Sequence, residues 1–73
     1  MVIRKISIGS NLKGSSMNYI VGSRIINDNF KVYDILQKEK YIEIYIINSD
    51  DEVVKWKEVS VTTPHVLEYN INI

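Results

Sequence analysis

Two short stretches of this chain hold residue types that can bind small molecules. The first is Gly9-Ser10-Asn11-Leu12-Lys13-Gly14-Ser15-Ser16. Its glycines stand at the spacing of a phosphate-cradling loop, but Ser15 occupies the place of the lysine that must follow the second glycine. No helical pattern follows either, so the helix N-terminus on which such a loop relies is missing. Nucleotide hydrolysis of that kind is therefore not expected. A weaker reading survives, because backbone amides of glycine-bounded loops form concavities for anions, and Ser10, Asn11, Lys13, Ser15 and Ser16 add donors. The same composition also describes an ordinary solvated loop.

The second stretch is Lys55-Trp56-Lys57, which holds the one indole of the chain. On a regularly alternating strand Trp56 points away from both lysines. It is then either a core residue, as aromatics in small domains usually are, or a platform on which a base stacks for about 1–3 kcal/mol. Tyr19 follows the polar loop closely and so lies near its donors, whereas Tyr33, Tyr41, Tyr45 and Tyr69 sit in strand patterns that cross-strand packing explains. Catalytic chemistry finds no comparable constellation. His65 stands alone, and Glu43 paired across strands with Glu58 or Glu68 reads as surface charge. Asp50-Asp51-Glu52 lacks the spaced ligands and the glycine of a calcium loop. The expectation is a protein without enzymatic activity, metal or cofactor.

The elements that must hold these residues are strands. Period-two alternation of β-branched and aromatic residues dominates the chain. It predicts strands over Val2–Ile8, Met17–Val21, Phe30–Leu36, Tyr41–Ile47, Val53–Val61 and Val66–Ile73, with a short one over Arg24–Ile26. On these, Met17, Tyr19 and Val21 share one face, as do Phe30, Val32, Asp34 and Leu36. Ile42, Ile44 and Ile46 form a core row opposite Tyr41, Glu43 and Tyr45, and Leu67, Tyr69, Ile71 and Ile73 form another. Turns fall at Asn27–Asn29, Gln37–Lys40, Asn48–Glu52 and Thr62–His65, the last because Pro64 cannot donate to a ladder. Only Tyr33–Glu39 offers a helical alternative, and it lacks a cap and an apolar stripe. The expected fold is all-β, or β-rich α+β with one short helix: a small antiparallel curled sheet or barrel of about five to six strands. Residues 1–73 make a single domain.

Composition narrows the partners. The 73 residues include no cysteine and one histidine, so neither disulfides nor a metal staple is available to a domain of marginal size. Oligomerisation is the remaining device, and a homo-oligomer is expected. Net charge is zero, yet residues 1–31 hold five cationic side chains against one carboxylate, and residues 32–73 hold four against eight. Duplex DNA usually meets a more basic domain, whereas a small anion needs only a few local cations. No stretch reaches the roughly 20 apolar residues of a membrane span, and the opening Met1-Val2-Ile3-Arg4-Lys5 has no apolar block of signal-peptide length. A cytoplasmic protein is the expectation.

Lys5-Ile6-Ser7-Ile8-Gly9-Ser10-Asn11, then Met17-Asn18-Tyr19-Ile20-Val21-Gly22, Trp56-Lys57 and Glu68-Tyr69-Asn70-Ile71 are together similar to small proteins of tailed bacteriophages. The size, the β-richness and the lack of an active site resemble phage anti-defence sponges, which sequester the cyclic oligonucleotides that bacterial CBASS immunity uses as alarms. That resemblance implies a homo-oligomer binding a cyclic dinucleotide or trinucleotide in the host cytoplasm without altering it. Trp56 and Tyr19 would stack on bases, while Lys57, Lys13 and the loop donors, with Lys55 beside them, would hold phosphates. The sequence departs from such a scheme in placing no arginine near Trp56. A protein-interaction module that inhibits a host protein, through a sheet edge or the acidic C-terminal half, is the alternative reading.

Overall fold

A computed structural model describes residues 2–9, 17–25 and 29–70 of the chain. The described residues form six strands and no helix: β1 (Val2–Ile8), β2 (Met17–Ile20), β3 (Lys31–Gln37), β4 (Tyr41–Ile47), β5 (Val53–Ser60) and β6 (His65–Asn70). They make two antiparallel three-stranded sheets, ordered β2-β1-β6 and β3-β4-β5. Tyr33–Glu39, the one helical alternative in the sequence, is mostly β3.

Gly22 links the sheets. Its φ of 91° lies in the left-handed region, which side chains other than glycine enter only at a cost. The bend carries the chain off β2 and alongside β3. Val21 N–H still donates to Arg4 O at 2.9 Å in the first sheet, while Gly22 N–H donates to Val32 O at 2.8 Å in the second. Val32 N–H returns a bond to Ser23 O, and Arg24 pairs with Lys31 in an isolated antiparallel bridge, where the sequence suggested a short strand. Among the described strands β5 bonds only β4, and β6 only β1, so the result is two separate three-stranded sheets, not a barrel. The turn at residues 61–64 carries the chain from β5 to β6, with Gly9 N–H donating to Pro64 O.

Isoleucine fills the space between the sheets. Ile3, Ile6, Val32, Ile35, Ile42 and Ile44 form one buried cluster, with Tyr19, Val21, Ile25, Trp56 and Leu67 packed against it. Each fully buried aliphatic side chain stabilises the fold by about 1.5–3 kcal/mol. The row Ile42, Ile44 and Ile46 is buried as its alternation requires.

Elsewhere three β-bulges shift the faces. In β3 the pairing steps from Val32 opposite Ile46 to Asp34 opposite Tyr45, leaving Tyr33 as an extra residue. One extra residue turns the pleat over, so Ile35 is buried and Leu36 is 37% exposed. The expected face shared by Phe30, Val32, Asp34 and Leu36 is thereby corrected: Val32 and Ile35 share the inner face, and Asp34 and Leu36 do not. In β1 the extra residue is Arg4, between the pairs Ile3–Tyr69 and Lys5–Glu68, which brings Ile3 and Ile6 to one face. In β5 it is Trp56. On β6 Leu67 and Tyr69 do share a face, opposite Ile6 and Ile3, but the expectation that the row is buried is corrected, for Leu67 is half-buried and Tyr69 is exposed. Ile71 and Ile73 lie outside the described residues.

Candidate functional site

The bulge in β5 decides how the Lys55-Trp56-Lys57 stretch is displayed. Lys57 stands opposite Ile44 and Lys55 opposite Tyr45, with Trp56 inserted between them. Directly opposed residues share a face, so Lys57 joins the inner face with Ile44, and the bulged Trp56 turns the same way. The alternation that set Trp56 against both lysines therefore fails. Lys57 Nζ lies over the indole, 4.7 Å from the ring centre, a cation–π contact worth about 0.5–1 kcal/mol at an exposed site. Lys55 faces the other way. Its ammonium is 3.0 Å from Glu58 Oε2 and 3.7 Å from Glu43 Oε2, and the hydrogen bond to Glu58 raises its pKa above 10.5.

Trp56 is half-buried and closes one end of the core. Tyr19 meets it edge-on with ring centres 5.2 Å apart, and Phe30 meets it at 5.4 Å. Such edge-to-face contacts add about 0.5–1.5 kcal/mol each beyond burial. Tyr19 and Trp56, far apart in sequence, are thus neighbours. Burial raises the pKa of the Tyr19 phenol above 10.0, and its hydroxyl reaches Met17 Sδ at 3.2 Å.

From Tyr19 a cleft of about 520 Å³ runs along β2 and the bend after it, walled by Met17, Tyr19, Ile20, Ile25 and Val32. Asn18, Ser23 and Arg24 supply its polar groups. Its size falls within the range of about 300–1,000 Å³ usual for small-molecule sites, as does a mostly apolar wall with few polar groups. Arg24 also borders a second cleft of about 400 Å³, with Lys31, Asn48, Ser49 and Asp51 on its rim. The bridge holds Arg24 directly opposite Lys31, and like charges so placed repel. Among the described residues no carboxylate lies within ion-pair distance of either. An anion between them would relieve that repulsion.

The structure therefore brings together Tyr19, Trp56 and Lys57, and sets Lys55 on the opposite face. Ser10, Asn11, Lys13, Ser15 and Ser16 lie outside the described residues. Sequence reasoning missed Arg24 and Lys31. Their signal was the cationic excess of residues 1–31, but nothing in the spacing told that Gly22 would fold the two onto one another.

Other candidates for chemistry are spoken for. His65 Nδ1 lies 2.6 Å from Thr63 O, Glu68 pairs with Arg4, and Glu43 stands opposite Glu58 with Lys55 bridging both. Among the described residues no three His, Asp or Glu side chains gather as metal ligands, and no helix is long and apolar enough to cross a membrane. The chain matches no family model, no curated protein and no solved structure.

Proposed function

We propose that this protein binds a small phosphate-bearing nucleotide and holds it unchanged, in the cleft along β2. One observation carries the reading: Arg24, which lines this cleft and borders the second, stands across a β-bridge from Lys31 on the second cleft's rim, and the two cations would together seat a phosphate. Arginine presents a planar fork of donors to phosphate oxygens and lysine a point charge. The apolar wall that includes Tyr19 would take the base. Trp56, enclosed by Tyr19, Phe30 and Lys57, braces Tyr19 instead of offering a free face. The resemblance to phage anti-defence sponges makes a cyclic dinucleotide or trinucleotide the first ligand class to try, and a host-cytoplasm role the corresponding setting. In that role withdrawal of the signal is the whole function, and no cofactor is needed.

Titration calorimetry with cyclic dinucleotides and cyclic trinucleotides tests this. Arg24→Ala and Lys31→Ala should each weaken binding by about 1.5–3 kcal/mol, the usual worth of a hydrogen bond to a charged group. Lys38→Ala, on a remote hairpin, should change nothing. Absence of heat with every ligand, or recovery of chemically altered ligand, refutes the reading. The free edges of β5 and β6 favour one alternative, an interaction module that inhibits a host protein. Capture of one specific host protein, together with silence in calorimetry, would put it first.

A further inference from the structure

We propose that the outer edge of β5 is the surface on which a second copy of this chain pairs, antiparallel, about a two-fold axis between Trp56 and Lys57. This stands apart from the ligand reading. Among the described strands β5 is the longest, at eight residues, and its outer edge is unpaired. An edge of that length is a template for another strand.

The residues along it are self-complementary in that one register. Val54 falls opposite Val59 of the second copy, Lys55 opposite Glu58, and Trp56 opposite Lys57. Paired residues must also point to the same side of the sheet, and here the bulge at Trp56 is decisive. Pairing with β4 puts Val54, Lys57 and Val59 on the face of Ile46, Ile44 and Ile42, and puts Lys55 and Glu58 on the face of Tyr45 and Glu43. With Trp56 turned inward at the bulge, every pair in the two-fold register matches in face. A regularly alternating strand fails this test, because the register pairs odd-numbered with even-numbered positions.

The chemistry agrees. Glu58 lies directly opposite Glu43 within the sheet, and one ammonium, Lys55, serves both carboxylates. The second copy brings another Lys55 against Glu58. On the inner face Lys57, already over one indole, meets another. Val54, 43% exposed, gains an apolar neighbour. Because the contact is isologous it closes at two copies, whereas β5 laid on β6 would propagate.

The chain has no cysteine, which makes cross-linking a clean test. Opposed residues have Cα atoms about 4.5–5.5 Å apart, within disulfide reach. Identical residues at position 54 would be five residues apart along the strands, roughly 16 Å. Purified Val54→Cys and Val59→Cys variants, mixed and mildly oxidised, should form a covalent heterodimer, and neither should cross-link alone. A mixture of Val54→Cys with Lys57→Cys should not cross-link. Sedimentation should show a dimer of the unmodified chain that Lys55→Glu or Glu58→Lys weakens at least tenfold, and that the double reversal restores. Circular dichroism of each variant checks its fold, and the cysteine arm stands independently of the charge variants. A monomeric unmodified chain, a dimer without the 54–59 cross-link, or cross-linking of 54 to 57 overturns the proposal.

Discussion

Replacing Ile35 and Leu36 separately with alanine asks the fold which of two adjacent residues faces the core. Regular alternation from Val32 puts Leu36 inside and Ile35 outside. The bulge at Tyr33 reverses this, leaving Ile35 at 1% exposure and Leu36 at 37%. Ile35→Ala removes buried atoms from a site walled by its neighbours and should cost about 2–5 kcal/mol. Leu36→Ala, at a position already open to water, should cost about 1 kcal/mol. Total stability for 73 residues is about 4–11 kcal/mol at the usual 0.05–0.15 kcal/mol per residue, so the first change threatens the fold and the second does not. Urea unfolding at neutral pH reads the difference as a shift of midpoint at constant slope. Equal costs, or a larger cost for Leu36→Ala, would refute the bulged register and every face assignment in β3 that depends on it.

Gly22→Ala should destabilise by about 1–2 kcal/mol, the cost of a left-handed backbone to a residue with a Cβ. Nothing lies within 4 Å of the added methyl, so the loss reports conformation and not a clash; an unchanged unfolding midpoint would argue against the bend. Trp56→Ala should lose about 1–3 kcal/mol, less than full burial would give, together with the near-ultraviolet dichroism of the Tyr19–Trp56–Phe30 cluster. Stability should fall above about pH 10. Tyr19 is raised from 10.0 by burial and Tyr45 from 10.0 by its hydrogen bond to Glu43, while Lys55 is raised from 10.5 by its bond to Glu58. In each the folded state keeps its proton after the unfolded state has released it, so rising pH favours unfolding across that window. Denaturation midpoints that climb with alkalinity there would contradict the sign.

Much of the strand order was legible because hydrophobic alternation and turn residues are local signals. Asn48 shows this well. Its side chain accepts from the backbone N–H of Asp50 and Glu52, at 2.9 and 3.0 Å, as an asparagine opening a turn tends to. The faces were less legible. A bulge is a single added residue, and Arg4, Tyr33 and Trp56 share no side-chain type that would mark one. Each inserts a step of three into a pattern of two, so regular alternation sets Leu36 on the face of Val32 and Lys57 opposite to Trp56, and both assignments fail. Only the partner strand reveals the slip, through the residue it leaves unopposed. In the candidate site, the nearness of Tyr19 to Trp56 depends on one sheet lying over the other, and the pairing of Arg24 with Lys31 depends on the Gly22 bend. Both are long-range outcomes that no spacing along the chain encodes.

The pairing of β1 with β6 also sets an order of events in time. Ile6 meets Leu67 across 61 positions, whereas Ile35 meets Ile44 across nine and Ile44 meets Lys57 across 13. Closing the longer loop costs about 1.5 kcal/mol more in chain entropy, and on the ribosome it must wait until β6 has been made. The β3-β4-β5 meander can assemble first as a nucleus of local contacts. β1 meanwhile has only β2 beside it, with its other flank bare. During synthesis the residues at greatest risk of mispairing are therefore Val2–Ile8, a strand that ends up central in its sheet.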